Sequence, residues 1–397
     1  MIVFQSPAIA SSSGLPSSLP AELTQQIGPN DSVLLADPNG NLIIRKNEDQ
    51  KRVPASTLKV LTALAAFHYL GPFYRYPTEF YTDNLQHLII KGFGDPLLIS
   101  EEVEAICIHL SKRLKRITAV LIDDRYFSQP VRIHGRTSSL EPYDAPNGAL
   151  GVNFNTVFFK TENGILVSGE PQTPLLPLAV SKIRKTGMSE GRITLSHDQG
   201  DIRTYAGEMF SFFLGKHGVT LSVQAPAAMV KPLDAPSTLV YRHASRFTLE
   251  SVVHKLLQFS NNYIANQLVL TLGAVCESAP GTVSKGMAVL DAYSAIQLGI
   301  EDIDVVEGSG ISRLNRIRAT DMLKMLVAFK PYYYLLKEKG GQYFKTGTLS
   351  GIRTRVGYFD LHGDGKSLYP FVIFMNTRGK RTEPVASLLE SLLRDAG

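Results

Sequence analysis

Ser56-Thr57-Leu58-Lys59-Val60-Leu61-Thr62-Ala63-Leu64-Ala65-Ala66-Phe67-His68-Tyr69-Leu70 carries a plain helical period, with Leu58, Leu61, Leu64 and Ala65 on one face. Pro54 precedes it and Gly71-Pro72 stops it. Just upstream, apolar runs at 32–36 and 41–45 surround Asp37-Pro38-Asn39-Gly40, which predicts a β-hairpin. Downstream, the order from 85 to 126 reads strand, helix (101–114) and strand (117–122). Residues 150–235 look strand-like and are broken by Pro171, Pro174, Pro177, Pro226, Pro232 and Pro236. Helical periodicity returns at 248–272, 284–298 and 320–328. Strands follow at 341–348, 352–361 and 368–376, and then a helix at 383–393. There is no internal repeat. Helices therefore flank antiparallel strands at both ends of the chain while the middle has another texture, which predicts an α+β domain split by a long insertion.

The chain has 397 residues, enough for two or three domains at ~150 residues each. It is 44% hydrophobic and 19% charged, with 32 Gly and 22 Pro. That composition fits a folded globular protein and excludes disordered, collagen-like and coiled-coil chains. The net charge of +5 is a mild basic bias without aromatic-interleaved basic runs, so no nucleic-acid partner is expected. Two cysteines, Cys107 and Cys276, exclude a disulfide framework and a four-cysteine zinc site. The nine histidines form no His-x-x-x-His pair, so no metal site and no cofactor are expected. No stretch reaches the ~18 apolar residues of a membrane span. Residues 1–20 lack the basic start and full apolar core of a secretory signal, although Ala8-Ile9-Ala10 resembles a cleavage triplet. Residues 11–20 read as a flexible lead-in.

Three short strings carry candidate chemistry. Ser56 and Lys59 are three residues apart on a helix, so they share a face with Cβ atoms ~5–6 Å apart. A serine at a helix start meets unpaired N–H groups and the positive dipole end. Its hydroxyl attacks a carbonyl if a base takes the proton, and a neutral lysine can serve. For that, the ordinary lysine pKa of ~10.4 must fall, through desolvation and neighbouring positive charge. The plain alternative makes Ser56 an N-cap and Lys59 a solvated side chain. Ser260-Asn261-Asn262 interrupts an apolar helical stretch. It reads either as a local break or as a proton-relaying hydroxyl (Ser260) beside an amide (Asn262) that binds a peptide-like ligand. Lys345-Thr346-Gly347-Thr348 falls on a strand. At a sheet edge, Lys345 and the hydroxyls of Thr346 and Thr348 suit a substrate carboxylate, and Gly347 lets a ligand lie against the backbone. Lys185-Thr186-Gly187 spells the same tripeptide in a loop context and reads as coincidence. Taken in order, Ser-x-x-Lys, Ser-x-Asn and Lys-Thr-Gly form the serine penicillin-recognising signature.

With these residues the chain resembles the D-alanyl-D-alanine carboxypeptidase/endopeptidase family of class C low-molecular-mass penicillin-binding proteins, peptidase family S13. Tyr74-Arg75-Tyr76-Pro77-Thr78, the Gly92-Phe93-Gly94-Asp95-Pro96 stretch within 88–97 and Asp123-Asp124-Arg125-Tyr126-Phe127 match its pattern. So do Tyr143-Asp144-Ala145-Pro146, Glu307-Gly308-Ser309-Gly310-Ile311-Ser312-Arg313 and residues 344–357. The resemblance runs from about residue 30 to the end. The spacing from Ser56 to Ser260 (260 − 56 = 204) resembles the family's large insertion. Glu307 stands where the family usually has Asp, and Gly148 where it usually has Ser; the departures bear on substrate selectivity near 143–150.

The resemblance implies a penicillin-binding/β-lactamase-like transpeptidase domain, an antiparallel sheet flanked by helices, built from 20–77 and 240–397. Residues 78–239 would be the insertion, with a reduced third domain near 160–225. It implies a serine D,D-peptidase that cleaves terminal D-Ala-D-Ala, or D,D-cross-links, of peptidoglycan and is acylated by penicillins. Ser56 would be the nucleophile, Lys59 its base, Ser260 the proton relay, and Lys345 the group that tunes that relay. Asn262, Thr346, Gly347 and Thr348 would bind substrate, and the backbone N–H groups of Ser56 and Thr348 would form the oxyanion hole. Its partners would be stem peptides and β-lactams, in a periplasmic or other extracytoplasmic location, with no metal or cofactor. A β-lactamase or esterase of the same fold is the alternative, though no class A-type glutamate loop lies between the first two motifs. A non-catalytic peptidoglycan-binding homologue is another, against which the intact motif set argues.

Overall fold

The computed structural model describes residues 20–222 and 236–396. The Ala8-Ile9-Ala10 triplet, nearly all of the lead-in, and Pro226 and Pro232 lie outside the described residues. The chain packs as two compact units, residues 1–54 with 317–397, and residues 55–316.

The discontinuous unit is built on a six-stranded antiparallel sheet. Its order is Lys337–Lys339, Gln342–Leu349, Ile352–Asp360, Leu368–Met375, Ser32–Ala36 and Leu42–Lys46. The predicted hairpin is present, and the Asp37 carboxylate closes its turn by accepting from the Asn39 and Asn41 N–H groups at 2.8 and 2.9 Å. Every residue of Ser32–Ala36 is buried, as in a strand covered on both faces. Val33, Leu35, Phe371 and Ile373 pack against Val385, Leu389 and Leu393 of the helix Glu383–Ala396. The period of two turns Val372 and Phe374 the other way. On that face the Tyr358 hydroxyl donates to the Leu326 carbonyl of the helix Ala319–Phe329. The strand Gln342–Leu349 pairs with Ile352–Asp360 along its whole length, whereas Lys337–Lys339 pairs only with Gln342 to Phe344. From Lys345 onward the strand is therefore a sheet edge among the described residues.

In the unit 55–316, the stretch from Ser56 forms a 3-10 turn, Ala55–Leu58, that runs into the α-helix Lys59–Leu70. Gly71, at φ 81°, ends this helix as expected. Lys59 to Phe67 are all buried, the mark of a helix surrounded by others. Its neighbours are Leu249–Phe259, Asn262–Cys276 and Val283–Leu298. The single helical run expected over 248–272 is two helices. Ser260 takes the left-handed conformation (φ 54°, ψ 36°), and the Asn261 side chain caps the second helix by accepting from the Ile264 N–H at 3.0 Å. The polar triplet is the break.

A four-stranded sheet runs Ser237–Ala244, Pro77–Asp83, Leu88–Gly92, Val120–Asp123. Its last pair is parallel, joined through the helix Ser100–Ser111. Phe80 and Ile90 of this sheet share a core with Ile106 and Leu110 of that helix and Phe210 and Phe213 of the helix Gln199–Lys216. A three-stranded sheet, Ile165–Ser168, Thr156–Glu162 and Glu190–Thr194, completes the unit beside a two-stranded ribbon. The strand-like reading of 150–235 is corrected by two helices, Pro177–Arg184 and Gln199–Lys216. Pro177 sits in the first turn, where a missing N–H costs no helical bond. In the longer helix Ile202, Tyr205, Ala206, Met209, Phe210 and Phe213 are buried at helical spacing, but its aromatic residues mimic strand composition and its three glycines weaken the helical signal. Cys107 and Cys276 are both free. Among the described residues no helix is long and apolar enough to cross a membrane.

Candidate active site

The Ser56 turn is set by its flanks. Ala55 stands at φ 48°, a left-handed conformation that costs a non-glycine residue roughly 1–2 kcal/mol. It is locked by Gly310, itself at φ 82°, whose position leaves no room for a side chain: a Cβ there would lie 1.9 Å from the Ala55 carbonyl oxygen. Ser56 remains half-buried and reachable, while Lys59 one turn on is completely buried.

The Lys59 Nζ lies 2.9 Å from Ser56 Oγ, 2.8 Å from Asn262 Oδ1 and 2.6 Å from the Ser309 carbonyl oxygen. Burial pushes the Lys59 ammonium from 10.5 down to about 7, against an upward pull from the Glu307 carboxylate. The expected cause is thus half right: desolvation lowers the pKa, but the nearby charge acting on Lys59 is negative and opposes the shift. The contacts suit a neutral amine. An amine has two N–H donors and one lone pair, and Asn262 Oδ1 and the Ser309 carbonyl can only accept. The lone pair is left for the Ser56 hydroxyl, whose proton it can take.

Lys59 and Thr62 form one side of this arrangement, since the Thr62 hydroxyl donates to the Gly308 carbonyl at 2.7 Å. Asn262 and Asn266, four residues apart on the facing helix, form the other. The Asn266 amide accepts from the Gly308 N–H at 3.0 Å and donates to Glu307 at 3.3 Å. Glu307 is completely buried. Its carboxylate accepts from the N–H groups of Ser309 (2.7 Å), Gly310 (2.7 Å) and Ser312 (3.3 Å), from the Ser309 hydroxyl (2.6 Å) and from Asn315 (2.6 Å). Thr62, Asn266, Ser309 and Asn315 were not candidates on sequence, and Glu307 stood out only as a departure. A polar residue three or four positions from each motif residue, inside an apolar helix, is the signal for Thr62 and Asn266.

Of the predicted site residues, the structure brings Ser56 and Asn262 each into contact with Lys59. Ser260, half-buried, forms the left-handed turn that delivers Asn262. A narrow crevice beside Asn262 is lined by Arg136, Tyr143, Asn147 and Ile311, so part of the 143–150 segment borders the site. In the discontinuous unit, Lys345, Thr346, Gly347 and Thr348 lie on the strand Gln342–Leu349. Lys345 is buried and its ammonium donates to the Thr346 carbonyl at 2.6 Å, while Thr346 and Thr348 are exposed. Strand alternation puts the two threonine side chains together on the face opposite the lysine. Lys185-Thr186-Gly187, by contrast, is the turn that follows the helix Pro177–Arg184.

Residues 32–192 and 188–332 match the D-Ala-D-Ala carboxypeptidase 3 (S13) family. The chain belongs to this family. The S13 match stops short of the Lys345 strand. The chain is 24% identical over 379 residues to a D-alanyl-D-alanine carboxypeptidase of Actinomadura sp. (strain R39), covering 81% of this chain and 70% of that protein. Its fold is similar to that of penicillin binding protein 4 from Haemophilus influenzae, at TM-score 0.72 and 19% identity, over 91% of this chain and 93% of the other. The same protein complexed with a beta-lactam gives TM-score 0.66, also at 19% identity and over 91% and 93% of the two chains. The expected class, antiparallel sheets flanked by helices with an additional region, is the fold observed.

Proposed function

We propose that this S13 chain is a serine D,D-peptidase of peptidoglycan that works through an acyl-enzyme and is acylated by penicillins. The supporting observation is the amine of Lys59, wholly buried, shifted to about 7 and 2.9 Å from Ser56 Oγ. In this reading Ser56 Oγ attacks the carbonyl of the scissile D-Ala-D-Ala bond as Lys59 removes its proton. Ser260 passes a proton to the departing D-alanine amine, with Lys345 tuning that step. Water then attacks the ester and regenerates Ser56. Asn262 binds the acyl-side amide, and the exposed hydroxyls of Thr346 and Thr348 hold the terminal carboxylate, with Gly347 leaving the backbone open to the ligand. The N–H groups of Ser56 and Thr348 are assigned as the oxyanion hole, a donor worth roughly 3–4 kcal/mol in comparable hydrolases. The reading takes residues 20–77 with 240–397 as the catalytic domain and 78–239 as its insertion, and its substrate implies an extracytoplasmic site of action.

The test is intact-mass spectrometry after incubation with benzylpenicillin. One covalent adduct is expected on the wild type and none on Ser56→Ala. An adduct that persists on the alanine variant would remove Ser56 as nucleophile.

A further inference from the structure

Within the unit 55–316 a cavity of about 380 Å3 opens beside the Ser260-Asn261-Asn262 turn, with Asn261 in its lining. Its size is that of a small-ligand site. Two aromatic residues line it. Phe259 is 76% exposed at the end of its helix. Phe154 sits in a run of three left-handed residues, Asn153 (φ 52°), Phe154 (φ 59°) and Asn155 (φ 55°). That run is pinned by the Asn153 side chain, which accepts from the Ser100 N–H and donates to its hydroxyl, both at 2.8 Å, and by the Asn155 amide, which donates to the Pro146 carbonyl at 2.8 Å. The pinned turn holds the Phe154 ring edge-on to Tyr263, centroids 6.0 Å apart.

Four charged side chains border the cavity. Arg192 is satisfied by Glu170, by the Thr156 hydroxyl at 3.1 Å and by the Phe158 ring. Glu101 and Lys255 remain, on different helices, neither in an ion pair among the described residues. The Lys255 ammonium lies 5.7 Å from the centre of the Phe247 ring.

We propose that this cavity is a second peptide subsite, which receives the other stem peptide of a cross-linked substrate. A peptide end bearing both an ammonium and a carboxylate matches Glu101 and Lys255, its aliphatic parts match Phe154 and Phe259, and its amides match Asn261. A neutral hexosamine chain would use the rings but leave both charges without a counterpart. The inference rests on the D,D-peptidase reading for the identity of the peptide.

The experiment measures, by calorimetry, binding of a cross-linked tetrapeptide dimer and of the monomeric tetrapeptide to the Ser56→Ala chain. The dimer is expected to bind at least about tenfold tighter. Phe259→Ala, Lys255→Glu and Glu101→Gln, each on that background, should remove most of this advantage and leave monomer binding unchanged. Penicillin labelling of the same three variants with Ser56 intact reports that they are folded. Equal binding of dimer and monomer, equal weakening of both, or displacement of the dimer by a chito-oligosaccharide would overturn the proposal. Absence of penicillin labelling in the wild type would end the D,D-peptidase reading alone, since the dimer-against-monomer difference is read without catalysis.

Discussion

If Lys59 is the base, the pH dependence of acylation must report its proton. With the pKa at about 7, the neutral fraction is about a half at pH 7, a tenth at pH 6 and a hundredth at pH 5. The second-order rate of acylation by a fluorescent penicillin should therefore fall about tenfold per pH unit below 7 and level off above about pH 8. The same proton sets a stability term. Unfolded, the lysine titrates at ~10.4; folded, it titrates at about 7. Below pH 7 both states carry the charge, and its burial costs the folded protein roughly 5 kcal/mol, at ~1.4 kcal/mol for each pH unit between the two values. Between pH 7 and 10 the unfolded state binds more protons, so stability rises with pH. Lys59→Met lacks this term. Its unfolding free energy relative to the wild type should be constant below pH 7 and then decline by about 1.4 kcal/mol per pH unit up to about pH 10. Stopped-flow labelling from pH 5 to 9, with urea unfolding of both proteins over the same range, reads both effects. An acylation profile that is still climbing steeply at pH 9, or a stability difference that is constant from pH 7 to 9, would show an ordinary lysine and refute the assignment.

Glu307→Gln removes the charge that raises the Lys59 pKa, so the inflection in the acylation profile should move to lower pH. It also puts an amide NH2 where the carboxylate met donors, so a loss of about 1–3 kcal/mol in unfolding free energy is expected; an alkaline move of the inflection would contradict the geometry. Gly310→Ala would force a Cβ to 1.9 Å from the Ala55 oxygen at a φ that favours glycine; acylation should drop by two orders of magnitude or more, read by penicillin labelling. Lys345→Ala should depress D-alanine release from a pentapeptide at least about a hundredfold, whereas Lys185→Ala, in an exposed turn, should release D-alanine at the wild-type rate. The opposite pattern would mean that the wrong Lys-Thr-Gly carries the chemistry.

The parts of the site legible in the sequence are those whose meaning is local. Ser56 and Lys59 are bound by one helical turn, so their contact follows from spacing alone. Ser260 to Asn262 offered two readings, a local break or a relay beside a ligand-binding amide; the break is what the structure shows, and it presents the Asn262 amide to Lys59. The hairpin and the C-terminal strands were legible because turn residues and a period of two punctuate them. Gln199–Lys216 was not, since its helical period is carried by aromatic residues that strands also favour. Glu307 was hidden for a different reason. Its role is to accept hydrogen bonds from the backbone of Ser309, Gly310 and Ser312, and backbone donors leave no residue type to read.

That hidden carboxylate explains how the exposed chemistry is held. In the proposed mechanism the proton leaves Ser56 toward Lys59 only if the other two partners of the amine are fixed acceptors, and one of these is the Ser309 carbonyl. A carbonyl in a glycine-flanked loop is mobile unless its peptide planes are tied. Glu307 ties the N–H groups on either side of it, and Thr62 and Asn266 tie Gly308 to the two helices that carry Lys59 and Asn262. The tied loop then presses Gly310 against Ala55 and holds the residue before Ser56 in its left-handed state. Such strain persists only where surrounding contacts over-determine it. In the proposed mechanism the nucleophile, the base and this loop therefore act as one tied unit, in which a buried charge that opposes the lysine pKa shift is tolerated because it fixes the acceptor that directs the lone pair of the amine.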